Sequence, residues 1–173
     1  KSFDIEKLSK PMKNHIVLIG AHRMSSRIIE VLKQRKRDFV VLDFNPERVK
    51  ALIKENINCV YGDYGNIHVL ENLNIDKARV VISTVPNFSD NVRLIKIAKN
   101  SNKNISTIIT THSTYDALLL YREGADFVIF PEYLSGQKVS DYLVHLNSKD
   151  IKKWGKHYRD QLISEIRNNR LFM

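Results

Sequence analysis

Cysteine, glycine and long apolar runs are scarce in this chain of 173 residues. The single cysteine, Cys59, excludes an internal disulfide and a metal cluster built on several thiolates, and it indicates a reducing cytosolic setting. No apolar run exceeds about six residues, whereas a membrane-spanning helix needs ~18. The first residues, KSFDIEKLSK, lack the apolar region and cleavage site of a secretory signal, and the start at Lys1 suggests an excised fragment.

The charge of the chain is strongly positive, at a formal +9, but the excess lies mostly at the two ends. Residues 146–173 hold seven Lys and Arg against three Asp and Glu, and residues 1–13 hold four against two. Only +3 is left for the long middle of the chain. No known reader motif and no interleaving of aromatic and basic residues accompanies this charge, so we expect no nucleic-acid partner.

Six short runs rich in β-branched residues alternate with helical patterns. The runs are HIVLI, FVVLD, NCVY, RVVIS, ISTIIT and DFVIF. The first, second and fourth are continuously apolar, as strands are when helices cover both faces of a parallel sheet. The gaps contain apolar residues at helical spacing, such as Ile28, Ile29 and Leu32. This alternation predicts an α/β fold, a doubly wound parallel sheet of six strands whose ligands bind at the carboxyl ends of the strands.

Two further helical patterns follow the sixth run. The first contains Val139, Leu143 and Leu146 at helical spacing. The second is a basic amphipathic helix within residues 147–173, beginning near Ile151, with an apolar stripe formed by Ile151, Trp154, Tyr158, Leu162 and Ile166. Periodicity shows a buried face but not its partner, so this C-terminal helical extension is expected to pack either on its own domain or on a partner chain.

Residues 15–32, HIVLIGAHRMSSRIIEVL, begin like the strand, turn and helix of a dinucleotide-binding fold, but they supply only one of its three glycines. Gly20 is the first glycine of the fingerprint, which permits the tight turn, whereas His22 occupies the second glycine position and Ser25 the third. An imidazole at His22 occupies space that a bridging pyrophosphate would use, while the amides of the helix N-terminus still attract an anion. The side chains of His22, Arg23 and Ser25 are candidate donors to a phosphate.

An acidic residue follows the second run at the spacing expected for ribose binding. Asp43 lies about twenty residues beyond the glycine turn, where a carboxylate accepts hydrogen bonds from ribose hydroxyls and disfavours a 2′-phosphate. Turn chemistry offers an alternative, because Asp43 also fits a capped turn through Asn45 and Pro46 into the next helix. Residues 62–64 after the third run and residues 83–85 after the fourth are expected at the same edge of the sheet.

The glycine turn, GDYGNIHVLENLNIDKARVVIST and EGADFVIFPEYLSGQKVSDYL together resemble the RCK/KTN domain, the regulator of potassium conductance, over residues 14–146. The resemblance implies a Rossmann-like nucleotide-binding module at the cytoplasmic face of a membrane, regulating a potassium channel, a transporter or a cation:proton antiporter. Residues 1–13 would be the linker from the membrane transport domain of the same protein. The segment STVPNFSDN is most similar to the antiporter branch. The helix over about residues 133–146 would cross to a second copy, giving a homodimer that can assemble into rings.

The resemblance also implies a nucleotide site, with phosphate at the glycine turn, ribose at Asp43, and adenine flanked by Asp63 and Thr84. Because His22 and Ser25 replace glycines, we expect an adenine mononucleotide, AMP or ADP, first, NAD or NADH second, and an empty structural crevice third. The expected nucleotide-binding residues are Gly20, Ala21, His22, Arg23, Met24, Ser25, Asp43, Phe44, Asn45, Gly62, Asp63, Tyr64, Ser83, Thr84 and Val85.

Enzyme chemistry is the main alternative. An NAD-dependent oxidoreductase needs an acid or base and a substrate-binding part, but only about 40 residues follow the sixth run. His112 is the best candidate base, yet no carboxylate or nucleophile accompanies it in the sequence. The six histidines show no metal-ligand spacing. We therefore expect no catalytic residues and no metal ligands.

Overall fold

The computed structural model of this chain describes residues 8, 10–144 and 148–168. The strands are β1 (Ile16–Ile19), β2 (Phe39–Asp43), β3 (Cys59–Tyr61), β4 (Val80–Ser83), β5 (Ser106–Thr110) and β6 (Phe127–Ile129). The helices are α1 (Arg23–Gln34), α2 (Pro46–Lys54), α3 (Ile67–Asn72), α4 (Phe88–Ser101), α5 (Thr114–Arg122), α6 (Pro131–Val144) and α7 (Ser148–Asn168). A short 3-10 turn, Ile75–Lys77, leads into β4.

The six strands form one parallel sheet in the order β3-β2-β1-β4-β5-β6. In register, Ile16 of β1 lies opposite Phe39 of β2 on one side and Val80 of β4 on the other. The strand order reverses between β1 and β4, which opens a crevice at the carboxyl ends of the central strands. The predicted doubly wound sheet of six strands is therefore confirmed, and each strand lies within its predicted run.

Helices cover both faces of this sheet. Alternate residues of β1 enter two separate cores, Val17 and Ile19 on one face and Ile16 and Leu18 on the other. Helices α3, α4 and α5 pack on the first core, and helices α1 and α2 pack on the second. All residues of β1 and β2 are buried, which explains their continuous apolar character.

The N-termini of the helices differ in how they are capped. Helices α2, α3, α4 and α5 each begin after a side chain that accepts a backbone N–H, from Asn45, Asn66, Asn87 and Ser113 respectively. Helix α1 begins after His22, whose side chain makes no such bond, and it has no acidic residue in its first turn. The first amides of α1 are thus left without a side-chain acceptor.

The two last helices leave apolar side chains exposed. No described residue of α6 is buried. The apolar stripe of α7 is also largely exposed, with Tyr158 at 65%, although Trp154 stacks on Tyr142 of α6 with ring centroids 4.6 Å apart. None of the described side chains of α7 is therefore buried against the sheet. Helix α7 begins at Ser148, three residues ahead of the predicted start near Ile151, and its first turn includes the acidic residue Asp150.

Two expectations concern the ends of the chain. Most of the predicted linker, residues 1–13, and the predicted boundary between residues 146 and 147 lie outside the described residues. In the part of the chain that the structure describes, no helix is both long enough and apolar enough to cross a bilayer.

Candidate functional site

A crevice of about 350 Å³ opens at the carboxyl edge of the sheet, where the strand order reverses. It brings together the ends of β1, β2 and β3, the segment after β4, and the start of α4. The lining residues are Ile19, Gly20, Leu42, Asp43, Phe44, Gly62, Asp63, Tyr64, Val85, Asn87 and Asp90. Seven of the predicted nucleotide-binding residues therefore meet in one cavity.

The turn after β1 requires glycine. Gly20 has a φ of +89°, a conformation that side chains with a Cβ rarely adopt. A Cβ there would also lie 2.7 Å from Oγ1 of Thr84 and 3.0 Å from Cγ2 of Val85. The backbone of this turn consequently passes close to the segment after β4, which leaves no room for a larger residue.

Asp43 lies at the base of the crevice and is only 3% exposed. Its Oδ2 accepts a hydrogen bond from the N–H of Ala21 at 2.6 Å, and its Oδ1 accepts one from the N–H of Asn45 at 2.7 Å. Nη1 of Arg48 lies 3.9 Å from Oδ2. The bond to Asn45 is the turn contact that we gave as the alternative. A carboxylate has further lone pairs, so these bonds leave acceptor capacity toward the crevice.

Three side chains of the predicted site, His22, Ser25 and Thr84, are linked by hydrogen bonds at the turn. Nε2 of His22 lies 3.0 Å from both the carbonyl oxygen and the Oγ1 of Thr84. The Thr84 hydroxyl donates to the Ile19 carbonyl at 2.8 Å, and the Ser25 hydroxyl donates to the Gly20 carbonyl. Ser25, which is fully buried, also lies 2.9 Å from Oγ1 of Thr84. The expected role of Ser25 as a phosphate donor does not fit this geometry, because its hydroxyl is committed to the turn.

The other predicted residues take varied positions. Phe44 is 69% exposed at the mouth of the crevice, and Asn45 caps α2. Ser83 is buried and its hydroxyl donates to the Val85 carbonyl at 3.3 Å. Eight of the predicted residues do not line the crevice, namely Ala21, His22, Arg23, Met24, Ser25, Asn45, Ser83 and Thr84. Any phosphate at the turn would therefore meet main-chain N–H groups of α1 rather than the Ser25 hydroxyl.

Sequence reasoning missed four residues of the crevice: the apolar Ile19 and Leu42 of β1 and β2, and the polar Asn87 and Asp90 at the start of α4. For the two polar residues, the available signal was their place just after β4, at the carboxyl edge. The same helix holds the wall of the crevice, because Nη1 of Arg93 donates to the Gly65 carbonyl at 3.0 Å. Asp63 fixes that loop from within, since its Oδ1 accepts the N–H of Gly65 at 2.8 Å.

Tyr64 is the least satisfied side chain of the crevice. It is 8% exposed, and its hydroxyl has no hydrogen-bond partner in the described residues. Burial raises the pKa of this phenol, the nearby carboxylate of Asp90 raises it further, and the adjacent Ser83 side chain opposes part of this rise. The hydroxyl therefore stays protonated, and Ser83 is a polar neighbour of it, although the two side chains do not form a hydrogen bond of standard geometry.

His112 has a carboxylate partner that the sequence did not indicate. Its Nδ1 lies 2.8 Å from Oε1 of Glu132, at the start of α6, and both side chains are exposed. The hydrogen bond from its own N–H lowers the pKa of Glu132, and the bond to His112 lowers it further. This pair lies outside the crevice lining. Among the described residues, no three His, Cys, Asp or Glu side chains are grouped as a metal site would require.

Comparison with known proteins identifies similar domains. The sequence profile of the TrkA-N domain matches residues 16–131. "Potassium channel protein 1" of Methanocaldococcus jannaschii is 28% identical over 135 residues, covering 76% of this chain and 40% of the relative. Other matches include "K(+) efflux antiporter 2, chloroplastic" of Arabidopsis thaliana, 26% identical over 94% of this chain and 14% of the relative, and "Putative cation/proton antiporter YbaL" of Escherichia coli, 25% identical over 69% of this chain and 21% of the relative. The chain spans 24–40% of the length of the first relatives that it matches.

Solved structures show the same fold. The TrkA-N domain of inner membrane protein ybaL from Escherichia coli has a TM-score of 0.73 and 23% identity, covering 76% of this chain and 98% of that one. The "GsuK channel bound to NAD" has a TM-score of 0.63 and 25% identity, covering 75% of this chain and 23% of that one.

Proposed function

Because this chain belongs to the TrkA-N domain family, we propose that it is the cytoplasmic regulatory domain of a membrane potassium channel or cation antiporter and that it binds an adenine nucleotide. The relatives named as potassium channels and antiporters support this class of function. The proposal is for binding without turnover, and it assigns no catalytic residue.

The observation that carries the nucleotide proposal is the buried carboxylate of Asp43 beside the uncapped start of α1. Asp43 would accept the ribose hydroxyls, and the free amides of α1 would bind phosphate, favoured by the positive end of the helix dipole. The adenine would lie between the segment containing Gly62 and Tyr64 and the side chain of Val85. The Tyr64 hydroxyl would gain an acceptor from such a ligand.

The dimensions of the crevice favour a mononucleotide. Ligand pockets typically hold about 300–1,000 Å³, and a crevice of about 350 Å³ lies at the lower end of that range. His22 does not line the crevice itself, but its ring lies over the turn, with Cδ2 3.3 Å from the position of a Cβ on Gly20, and a pyrophosphate that continued past Gly20 along the turn would meet it. We therefore place AMP or ADP ahead of NAD or NADH, although the similar GsuK channel has been solved with NAD bound.

The exposed apolar side chains of α6 support a homodimer. Tyr133 is 66% exposed and Leu143 is 55% exposed, and contiguous apolar exposure of this kind marks an interaction surface. A second copy that covers α6 would bury these side chains. The bond between His112 and Glu132 joins the segment after β5 to the start of α6. Through this contact, a ligand bound at the carboxyl edge of the sheet would alter the position of α6, the arrangement of the dimer and, in turn, ion transport.

The nucleotide proposal is tested by thermal unfolding of the 173-residue chain with AMP, ADP, ATP, NAD or NADH at millimolar concentration. A ligand present at 100 times its Kd adds about 2.7 kcal/mol to the free energy of unfolding, which raises the melting temperature by several degrees. We expect the largest shift with AMP or ADP and a much smaller one in Asp43→Ala. Asp38→Ala, at an exposed site on the opposite edge, is the matched control.

Two results would contradict parts of this proposal. A larger shift with NADH than with AMP would show that the turn admits a pyrophosphate. If no nucleotide raised the melting temperature of the wild-type chain, the crevice would serve assembly alone.

A further inference from the structure

A basic surface covers the amino edge of the sheet, opposite the crevice. This amino-edge patch consists of Lys13, Lys36, Arg37, Lys77, Arg79 and Lys103, all of which are exposed. They stand in the segments that precede β1, β2, β4 and β5. Those four strands are neighbours in the sheet, so their amino ends share one edge.

The structure brings the centre of this patch together in a polar depression of about 110 Å³. Lys36, Arg37 and Arg79 line it together with Asn14, Ile16 and Asp38. Backbone bonds hold the contributing segments in place, since the N–H of Asn14 donates to the Lys77 carbonyl at 2.8 Å. The patch is thus a fixed feature of the folded sheet edge.

The positive charge of the patch is not neutralised within the described part of the chain. None of its six basic side chains has a carboxylate within 4.0 Å there, whereas Lys33, Lys96 and Lys99 on helices each pair with one. Asp38 and Asp76 are the acidic residues of the same segments. Six positive charges against two negative charges leave a clear positive excess.

Helix dipoles explain only part of this charge. The C-terminal ends of α1 and α2 lie at the same edge, and their negative dipole ends favour basic residues in the last turn, such as Lys33 and Lys54. Lys36 and Lys103 follow the ends of α1 and α4 within two residues and can be explained in the same way. Lys13 and Arg79 do not lie at the C-terminal end of any described α-helix, so helix dipoles do not account for them.

We propose that the amino-edge patch docks this domain on an anionic phospholipid surface, with lipid phosphates contacting Lys36, Arg37 and Arg79. The choice of a membrane among anionic partners rests on the proposed function. A bilayer also fits better than nucleic acid, because the segments that carry the patch contain no Phe, Tyr or Trp to stack on bases. Docking by this edge leaves the crevice, with Asp43, Asp63 and Asp90, facing away from the lipid and open to nucleotide.

The test is sedimentation of the chain with sucrose-loaded vesicles of phosphatidylcholine, or of phosphatidylcholine containing phosphatidylglycerol, at low and at physiological salt. We expect binding only to the anionic vesicles and a steep loss as salt rises. Each basic residue near an anionic surface contributes about fivefold to the partition coefficient, so Lys36→Gln/Arg37→Gln/Arg79→Gln should lower it by roughly 100-fold.

The matched control is Arg27→Gln/Lys50→Gln/Lys96→Gln, which removes the same charge from helix positions that are already paired with Glu side chains. It should bind anionic vesicles almost as well as wild type. An equal loss of binding to anionic vesicles in both triple variants would show that net charge alone attracts the protein to the lipid, and it would overturn the assignment of the patch.

Other outcomes also decide the proposal. Equal binding to neutral vesicles would assign the contact to an apolar surface instead, and tighter binding to a 20-base-pair DNA duplex than to anionic vesicles would assign the patch to nucleic acid. Failure of wild type to bind any vesicle would overturn docking but would leave the nucleotide proposal standing, since that is measured separately by thermal shift.

Discussion

Replacing His22 by glycine restores the second glycine of the dinucleotide turn and tests whether the imidazole limits the ligand. The backbone at His22 is extended, with φ −125° and ψ −167°, so the substitution neither relieves nor introduces backbone strain. The variant loses the contacts of Nε2 with the carbonyl oxygen and Oγ1 of Thr84, each at 3.0 Å. The tight turn at Gly20 and the carboxylate of Asp43 stay as they are.

The effect on stability follows from those lost contacts. A hydrogen bond of this kind contributes about 0.5–1.5 kcal/mol net, and the added freedom of glycine in the unfolded chain costs roughly 0.5–1 kcal/mol. The free energy of unfolding should therefore fall by about 1–2.5 kcal/mol. For a domain of this size, that lowers the melting temperature by roughly 2–10 °C. The variant should remain folded at 25 °C.

The effect on binding is the decisive one. Without the imidazole, a pyrophosphate can approach the amides of α1, whereas the single phosphate of AMP gains little. We expect the affinity for NAD to rise at least about tenfold relative to AMP, which is ~1.4 kcal/mol. Isothermal titration calorimetry of wild type, His22→Gly and the control His157→Gln, at an exposed histidine of α7, measures that ratio. If His22→Gly left the ratio of NAD to AMP affinity unchanged, the imidazole would not be what limits the ligand.

Three further predictions concern stability, each measured by chemical denaturation. Gly20→Ala should lower the free energy of unfolding by about 2–4 kcal/mol, because alanine is strained at φ +89° and its Cβ would lie 2.7 Å from Oγ1 of Thr84. A decrease of less than about 0.5 kcal/mol would contradict the turn geometry. Tyr64→Phe should keep or slightly raise the free energy of unfolding of the ligand-free chain, because it removes a buried hydroxyl that makes no hydrogen bond of standard geometry; a loss above about 1 kcal/mol would show that its contact with Ser83 is a true hydrogen bond. Burial lowers the pKa of His15, whose Nε2 donates to the Leu73 carbonyl at 2.8 Å, so the unfolded chain binds a proton more readily than the folded chain does. The free energy of unfolding should therefore fall as the pH drops below about 6.5, by up to about 1.4 kcal/mol per pH unit. His15→Gln should remove this pH dependence.

Much of this protein could be predicted from local sequence. The strand runs are short, apolar and β-branched, and helical spacing recurs between them, so the parallel sheet and its crossovers follow from periodicity alone. Gly20 and Asp43 were predicted for the crevice because a tight turn and a carboxylate about twenty residues later are features of sequence spacing. Both line the observed crevice.

The contacts that complete the site depended on tertiary structure. His22 and Thr84 are 62 residues apart, and their bond exists because β1 and β4 are adjacent in the sheet. The pairing of His112 with Glu132 arises in the same way. A local sequence pattern concerns residues a few positions apart, whereas these contacts join residues that are distant in sequence and meet because their strands end at the same edge of the sheet. The sequence by itself thus determined the sheet and the ends of its strands, and only the folded sheet decided which side chains meet there, including the basic patch assembled from four separate segments.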